Sequence, residues 1–293
     1  MRYLGASVVA IGFAAPCGQA KLFEPGLMPF RGWTSWDLSA LKGVPPYGRE
    51  WLNSTNILAQ SAALASSGLQ AEHFDHINID SFWSYNPMMV VDSFGRWATN
   101  YSRFPQGMAN ISDAVHARGQ KFGLYINPGV AVAAVKQKKP IQGTNCTADE
   151  IAATDPETGA PLRGNPFGDC FAINWEHACA RPYVQSFANL LALEYRIDFL
   201  KMDAVAPGSA KDDATDWPIA PYNTYDNSRD VAEWSRALEA TGRQVWLAIS
   251  WEIDPSYATE FAPYHLLANV CLSYCKRTRI CHTILIISDP WLL

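Results

Sequence analysis

The chain has 293 residues, 48% of them hydrophobic, with a net charge of −5 and a pI near 5.7. It carries no basic stripe interleaved with aromatics, so a nucleic acid partner is not expected, and the length suits one large α/β domain. No stretch of about 20 apolar residues follows the N-terminal segment, so no membrane partner is expected.

The N-terminus has Arg2, an apolar run over residues 3–16 and then Gly18-Gln19-Ala20. That order fits a secretory signal cleaved near Ala20, against the competing reading of a buried first strand or helix. Sequons at Asn53, Asn100, Asn110 and Asn145 support secretion as a set. The expected mature chain keeps Cys146, Cys170, Cys179, Cys271, Cys275 and Cys281. Six cysteines allow fifteen pairings, and the spacing does not choose among them. Neither paired CxxC ligands nor an HExxH arrangement occurs, so no metal is expected.

Short apolar runs then alternate with longer helical patterns. The first short run is Phe30-Arg31-Gly32-Trp33-Thr34-Ser35-Trp36, followed by a helix over about 50–67 that Gly68 closes. His76-Ile77-Asn78-Ile79-Asp80 reads as the second strand, 110–118 as a helix stopped by Gly119, and 121–126 as the third strand. Two more helix-strand units run over 181–203 and 226–250. The alternation argues for a parallel sheet with helices outside. Residues 127–180 interrupt it with several prolines and three cysteines, and read either as a cover for one side of a pocket or as an exposed, disulfide-pinned loop.

The stretch Tyr195-Arg196-Ile197-Asp198-Phe199-Leu200-Lys201-Met202-Asp203 reads as a short buried strand that delivers a lysine and a carboxylate together at its carboxyl end. In an α/β barrel that end forms the active site, which makes Asp203 a nucleophile candidate. The competing reading is a helix-capping aspartate. Eleven tryptophans and twelve tyrosines supply flat faces that suit sugars and protein cores alike.

In chain order, Gly32-Trp33-Thr34-Ser35-Trp36, Ile79-Asp80-Ser81-Phe82-Trp83, Arg103-Phe104-Pro105-Gln106-Gly107-Met108, Val115-His116-Ala117-Arg118-Gly119, Gly123-Leu124-Tyr125 and Lys201-Met202-Asp203 resemble the α-galactosidase family, glycoside hydrolase family 27. Its members are retaining enzymes on a (β/α)8 TIM barrel. The resemblance covers roughly 31–264 and implies a secreted hydrolase acting on terminal α-galactosides or related sugars, with no organic or metal cofactor. It implies that Asp203 attacks the anomeric carbon and that Lys201 holds Asp203 ionised and binds a sugar hydroxyl. It also implies that Asp80 accepts from galactose hydroxyls while Trp33 and Tyr125 wall the pocket.

The sequence departs from the family in three places. The family usually has two consecutive aspartates at the second strand, whereas here Ser81 follows Asp80, which leaves galactose, a pentopyranose and α-linked glucose open. Ala204-Val205-Ala206 stands where the family often has a cysteine, and Ser250-Trp251-Glu252 resembles the fifth-strand ending, making Glu252 a substrate-binding candidate. The resemblance stops after Tyr264, and the acid/base aspartate is expected near Ser273, yet no Asp or Glu lies between Glu260 and Asp289. Pro290 and the nearby chain end make Asp289 a poor replacement. The expected organisation is a signal over 1–20, a (β/α)8 barrel over 21–264 lacking its last quarter, and a divergent tail over 265–293. The alternative function is a carbohydrate-binding or truncated family member that lacks the general acid.

Overall fold

The computed structural model describes residues 31–165, 167–205 and 227–250, together with the backbone of two short strands at 270–272 and 284–285. Strands β1 (Gly32–Thr34), β2 (His76–Asn78) and β3 (Lys121–Ile126) are followed by a small antiparallel pair, β4 (Val130–Ala131) and β5 (Cys170–Phe171). Next come β6 (Phe199–Met202), β7 (Trp246–Ser250), β8 (Val270–Leu272) and β9 (Ile284–Leu285). The main sheet runs β1-β2-β3-β6-β7-β8-β9, parallel throughout except for the last pair. The helices are α1 (Trp36–Ser39), α2 (Ser54–Ser66), α3 (Gly107–His116), α4 (Val132–Lys136), α5 (Ala180–Asn189) and α6 (Ser228–Ala240). This is an incomplete (β/α)8 barrel, as the family resemblance implies, and its parallel sheet is the one the alternation predicts. Part of the expected divergent tail joins it, because β8 pairs in parallel with β7.

Strand alternation sorts the side chains into two faces. Ile77, Ile79, Phe122, Leu124, Ile126, Leu200, Met202, Leu247 and Ile249 are buried together with residues of the surrounding helices such as Ile57, Ile111, Phe187 and Trp234. The opposite face carries Phe199, Trp246 and Ala248 as a second cluster, with the His76 ring edge-on to Phe199 and Trp246. Gly123 on this face is closely fitted. A Cβ there would meet Asn78 Oδ1 at 1.9 Å and Phe199 Cδ1 at 2.8 Å, so any other residue requires both side chains to shift.

Helix boundaries follow their caps. α2 begins later than the apolar pattern predicts because the Asn53 side chain accepts the Asn56 N–H at 3.0 Å, while residues 49–51 form a separate 3-10 turn. Gly68, with φ of 82°, ends that segment as expected. α5 continues as a π-helical turn over Leu190–Glu194 before β6. Ring packing of Phe187 on Trp234, at 5.3 Å, joins α5 to α6.

The long segment after β3 is buried over 127–135 and at scattered positions beyond, and exposed over 156–161, so it is anchored in the core at one end and open to solvent at its tip. Val130, Ala131, Ala134, Val135, Ile141, Ala148 and Ile151 all belong to the main core. A disulfide joins Cys146 to Cys179 and leaves Cys170 buried with a free thiol. His177 stands against that disulfide, with ligand-type atoms of the three residues within 4.8 Å, but the two sulfurs are bonded to each other.

Candidate active site

The parallel register brings the candidate residues to one end of the sheet. Tyr125 pairs with Lys201 and Ile126 with Met202. The residues that follow, Asn127 and Asp203, therefore leave neighbouring strands side by side, and the Asp203 N–H donates to the Ile126 carbonyl at 2.9 Å. Asp80 follows β2 by two residues, on the same face as Asn78.

Lys201 links two carboxylates. Its Nζ donates to Asp80 Oδ2 at 2.9 Å and lies 3.7 Å from Asp203 Oδ2. Burial acts to lower the Lys201 pKa, but the charges of Asp80 and Asp203 and their hydrogen bonds outweigh it, so the ammonium is held above its ordinary range. Asp80 is 3% exposed, with Oδ1 accepting the Ser81 N–H at 2.8 Å and its own N–H donating to Ser35 Oγ at 2.9 Å, which leaves each oxygen able to accept one further hydrogen bond. Asp203 is 8% exposed, and its Oδ1 has no donor among the described residues. A buried carboxylate oxygen without a donor is free to act as a nucleophile or to receive a ligand hydroxyl.

Tyr125 stands beneath this pair, its ring 5.4 Å from Lys201 Nζ. Burial, and then the charges of Asp203, Asp80 and Asp169, push its hydroxyl well above the usual range, so it stays protonated and can donate. Buried tryptophans fix the strand behind it: Trp83 Nε1 donates to the Tyr125 carbonyl at 2.7 Å, and the Trp97 ring lies 6.2 Å from the Tyr125 ring. Two non-glycine residues with positive φ flank the site, Phe82 at 78° after Ser81 and Ala204 at 58° after Asp203. Backbone strain of this kind persists where surrounding packing over-determines it, and it clusters at functional sites.

The structure brings Asp80, Ser81, Tyr125, Lys201 and Asp203 together. It sets Trp33 apart, because Trp33 pairs with Ile77 on the helix-facing side and packs on the main core, 6.2 Å from the Trp51 ring. Trp36 is the tryptophan at the site end. It opens α1 one residue after Ser35 and is 42% exposed. Nothing in Gly-Trp-Thr-Ser-Trp distinguishes the two tryptophans until the register is known. Asn127 was also missed, although it follows Tyr125 by the same two-residue step that separates Asp203 from Lys201. Glu252, Ser273 and Asp289 lie outside the described residues.

A family model described as Melibiase_2, Alpha galactosidase A, matches residues 28–155. Alpha-galactosidase 3 of Hypocrea jecorina is 28% identical over 76% of this chain and 33% of its own length. Alpha-galactosidase 3 of Arabidopsis thaliana is 35% identical over 35% of this chain and 21% of its own. A family 27 β-L-arabinopyranosidase from Geobacillus stearothermophilus superimposes with a TM-score of 0.68 at 22% identity, covering 86% of this chain and 54% of that one. The chain is similar to glycoside hydrolase family 27. The chain spans about a third of the Hypocrea relative's length. Its matched region includes the strands that carry Asp80 and Tyr125.

Proposed function

We propose that this chain carries the nucleophile side of a retaining, α-galactosidase-like glycosidase site that takes a terminal pyranose. The observation that carries the reading is the Asp80–Lys201–Asp203 cluster at the carboxyl ends of the parallel strands β2 and β6, which flank β3, where barrel enzymes build their sites. Asp203 attacks the anomeric carbon as the aglycone oxygen departs with the bonding pair, and water then hydrolyses the resulting ester. Lys201 sets a cation 3.7 Å from the nucleophile's Oδ2, and Asp80 reads sugar hydroxyls. The residue that protonates the leaving oxygen belongs to no described segment.

Incubation with a 2,4-dinitrophenyl α-galactoside tests this, because so good a leaving group needs little protonation. Dye release by the wild type, reduced roughly 10³-fold or more in Asp203→Asn, is the expected result. Equal release by both proteins would overturn the assignment of Asp203.

The absence of Asp and Glu between Glu260 and Asp289 favours a second reading, a sugar-binding chain without turnover. In that case Asp203→Asn retains binding and neither protein releases dye. We also propose secretion, supported by the N-terminal pattern and by the exposure of the sequon residues Asn110 and Asn145.

A further inference from the structure

Asn127 is 4% exposed and stands on the site face, one strand from Asp203. Its Nδ2 donates to Asp169 Oδ2 at 2.7 Å, and its amide also bears on the Tyr125 hydroxyl. Its Oδ1 has no donor among the described residues. Asp169 comes from the other end of the long inserted segment, just before β5, and its Oδ1 accepts Asn165 Nδ2 at 2.9 Å. That same Asn165 Nδ2 donates to the Pro128 carbonyl at 3.1 Å, closing the cluster back onto the residue after Asn127.

The chemistry of this arrangement has a direction. Burial raises the Asp169 pKa against the pull of its two amide partners, but each of its oxygens faces an amide nitrogen, Asn127 Nδ2 and Asn165 Nδ2, and as acceptor from both it fixes which end of the Asn127 amide faces it. The NH2 end is anchored and the carbonyl end is left over. An acceptor this deeply buried without a donor is unfavourable, and Asp203 Oδ1 beside it is in the same condition. Two neighbouring buried acceptors call for a ligand that brings hydroxyl donors, and an anion would be repelled by them.

We propose that Asn127 is a substrate-binding residue whose Oδ1 accepts a hydrogen bond from one ring hydroxyl of the pyranose at Asp203, with Asp169 as the positioning residue that sets the amide's orientation. This deepens the glycosidase reading and rests on it.

The test pairs variants of the full chain with parent and singly deoxygenated sugars. Kinetics use dinitrophenyl α-glycosides with the parent ring and its 2-, 3-, 4- and 6-deoxy forms, and intrinsic tryptophan fluorescence follows binding of the free sugars, so turnover is not required. Asn127→Ala is expected to lose about 10- to 100-fold on the parent, and to lose nothing further on the one deoxy sugar that lacks the contacted hydroxyl. Asn127→Asp sets two carboxyl groups against each other and is expected to lose more. The exchanged pair Asn127→Asp with Asp169→Asn restores one donor between two acceptors and is expected to recover at least about tenfold. Asn127→Ser serves where circular dichroism shows Asn127→Ala unfolded. An equal loss on every deoxy sugar would mean a purely structural role and overturns the proposal while leaving the glycosidase reading standing. A folded wild type that neither hydrolyses nor binds any parent sugar overturns both.

Discussion

Lys201 Nζ lies 2.9 Å from Asp80 Oδ2, joining the end of β2 to β6 across 121 residues of sequence. The contact balances the charge of one buried carboxylate while leaving one oxygen of another, Asp203 Oδ1, without a donor among the described residues. Replacing the lysine removes the cation and strands Asp80, which is only 3% exposed. Lys201→Met is therefore expected to lower stability by about 3 kcal/mol. The double variant Lys201→Met with Asp80→Asn should recover part of that loss in urea unfolding. Strictly additive losses would show that the pair is not coupled.

Ser81 offers its backbone N–H to Asp80, which places its side chain next to a carboxylate proposed to bind the sugar. Ser81→Asp adds an acceptor at that position. The kcat/KM ratio of a galactoside to the matching pentopyranoside is expected to rise about tenfold. An unchanged ratio would place sugar selection elsewhere.

Asp198 ties three elements together at the opposite end of β6 from the site. It accepts from His116 Nε2 at 2.6 Å, the Phe122 N–H at 3.0 Å and Arg243 Nη2 at 3.1 Å. Asp198→Ala leaves these donors short of a partner and is expected to cost about 2 kcal/mol, seen as a lower Tm. Five extended residues, about 17 Å, separate it from Asp203, so activity per folded molecule should be unchanged. A selective loss of kcat would contradict this separation.

Glu233 on α6 gives the fold an acid-sensitive contact. Its carboxylate accepts Arg181 Nε at 3.0 Å and Nη2 at 2.9 Å, and Arg236 Nη1 at 3.0 Å. Burial acts to raise its pKa, but the Arg181 and Arg236 interactions outweigh it and hold the folded value below the usual glutamate range. A depressed folded value stabilises the fold above the unfolded pKa of about 4.3, and that contribution fades as pH falls through the folded value. The arginines are well exposed, so the contribution is about 1 kcal/mol. Glu233→Gln should lower Tm by about 2–4 °C at pH 7, with the gap to wild type closing below about pH 4. A gap that persists in acid would assign the effect to packing.

Much of this protein is legible residue by residue. β3 falls on 121–126 as the apolar run and its flanking Gly119 predict, because a strand buried on both faces needs a continuous apolar run and a turn before it. Lys201 and Asp203 share a face because alternation has a period of two, and that period is local. The same local rules place α2, α3 and α6 to within a few residues, with departures where a cap such as Asn53 overrides the apolar pattern.

What needed the tertiary structure is everything that depends on register between strands. Trp33 and Trp36 look equivalent in the sequence, and only pairing with Ile77 sends Trp33 to the helix side. The partner of Cys146 and the reach of Asp169 to Asn127 depend on how a long insertion folds back over β3. Local propensities decide which residues become strands and which face each side chain takes. Contacts between residues far apart in sequence are decided by how the whole sheet pairs and packs, which no short stretch of the chain contains.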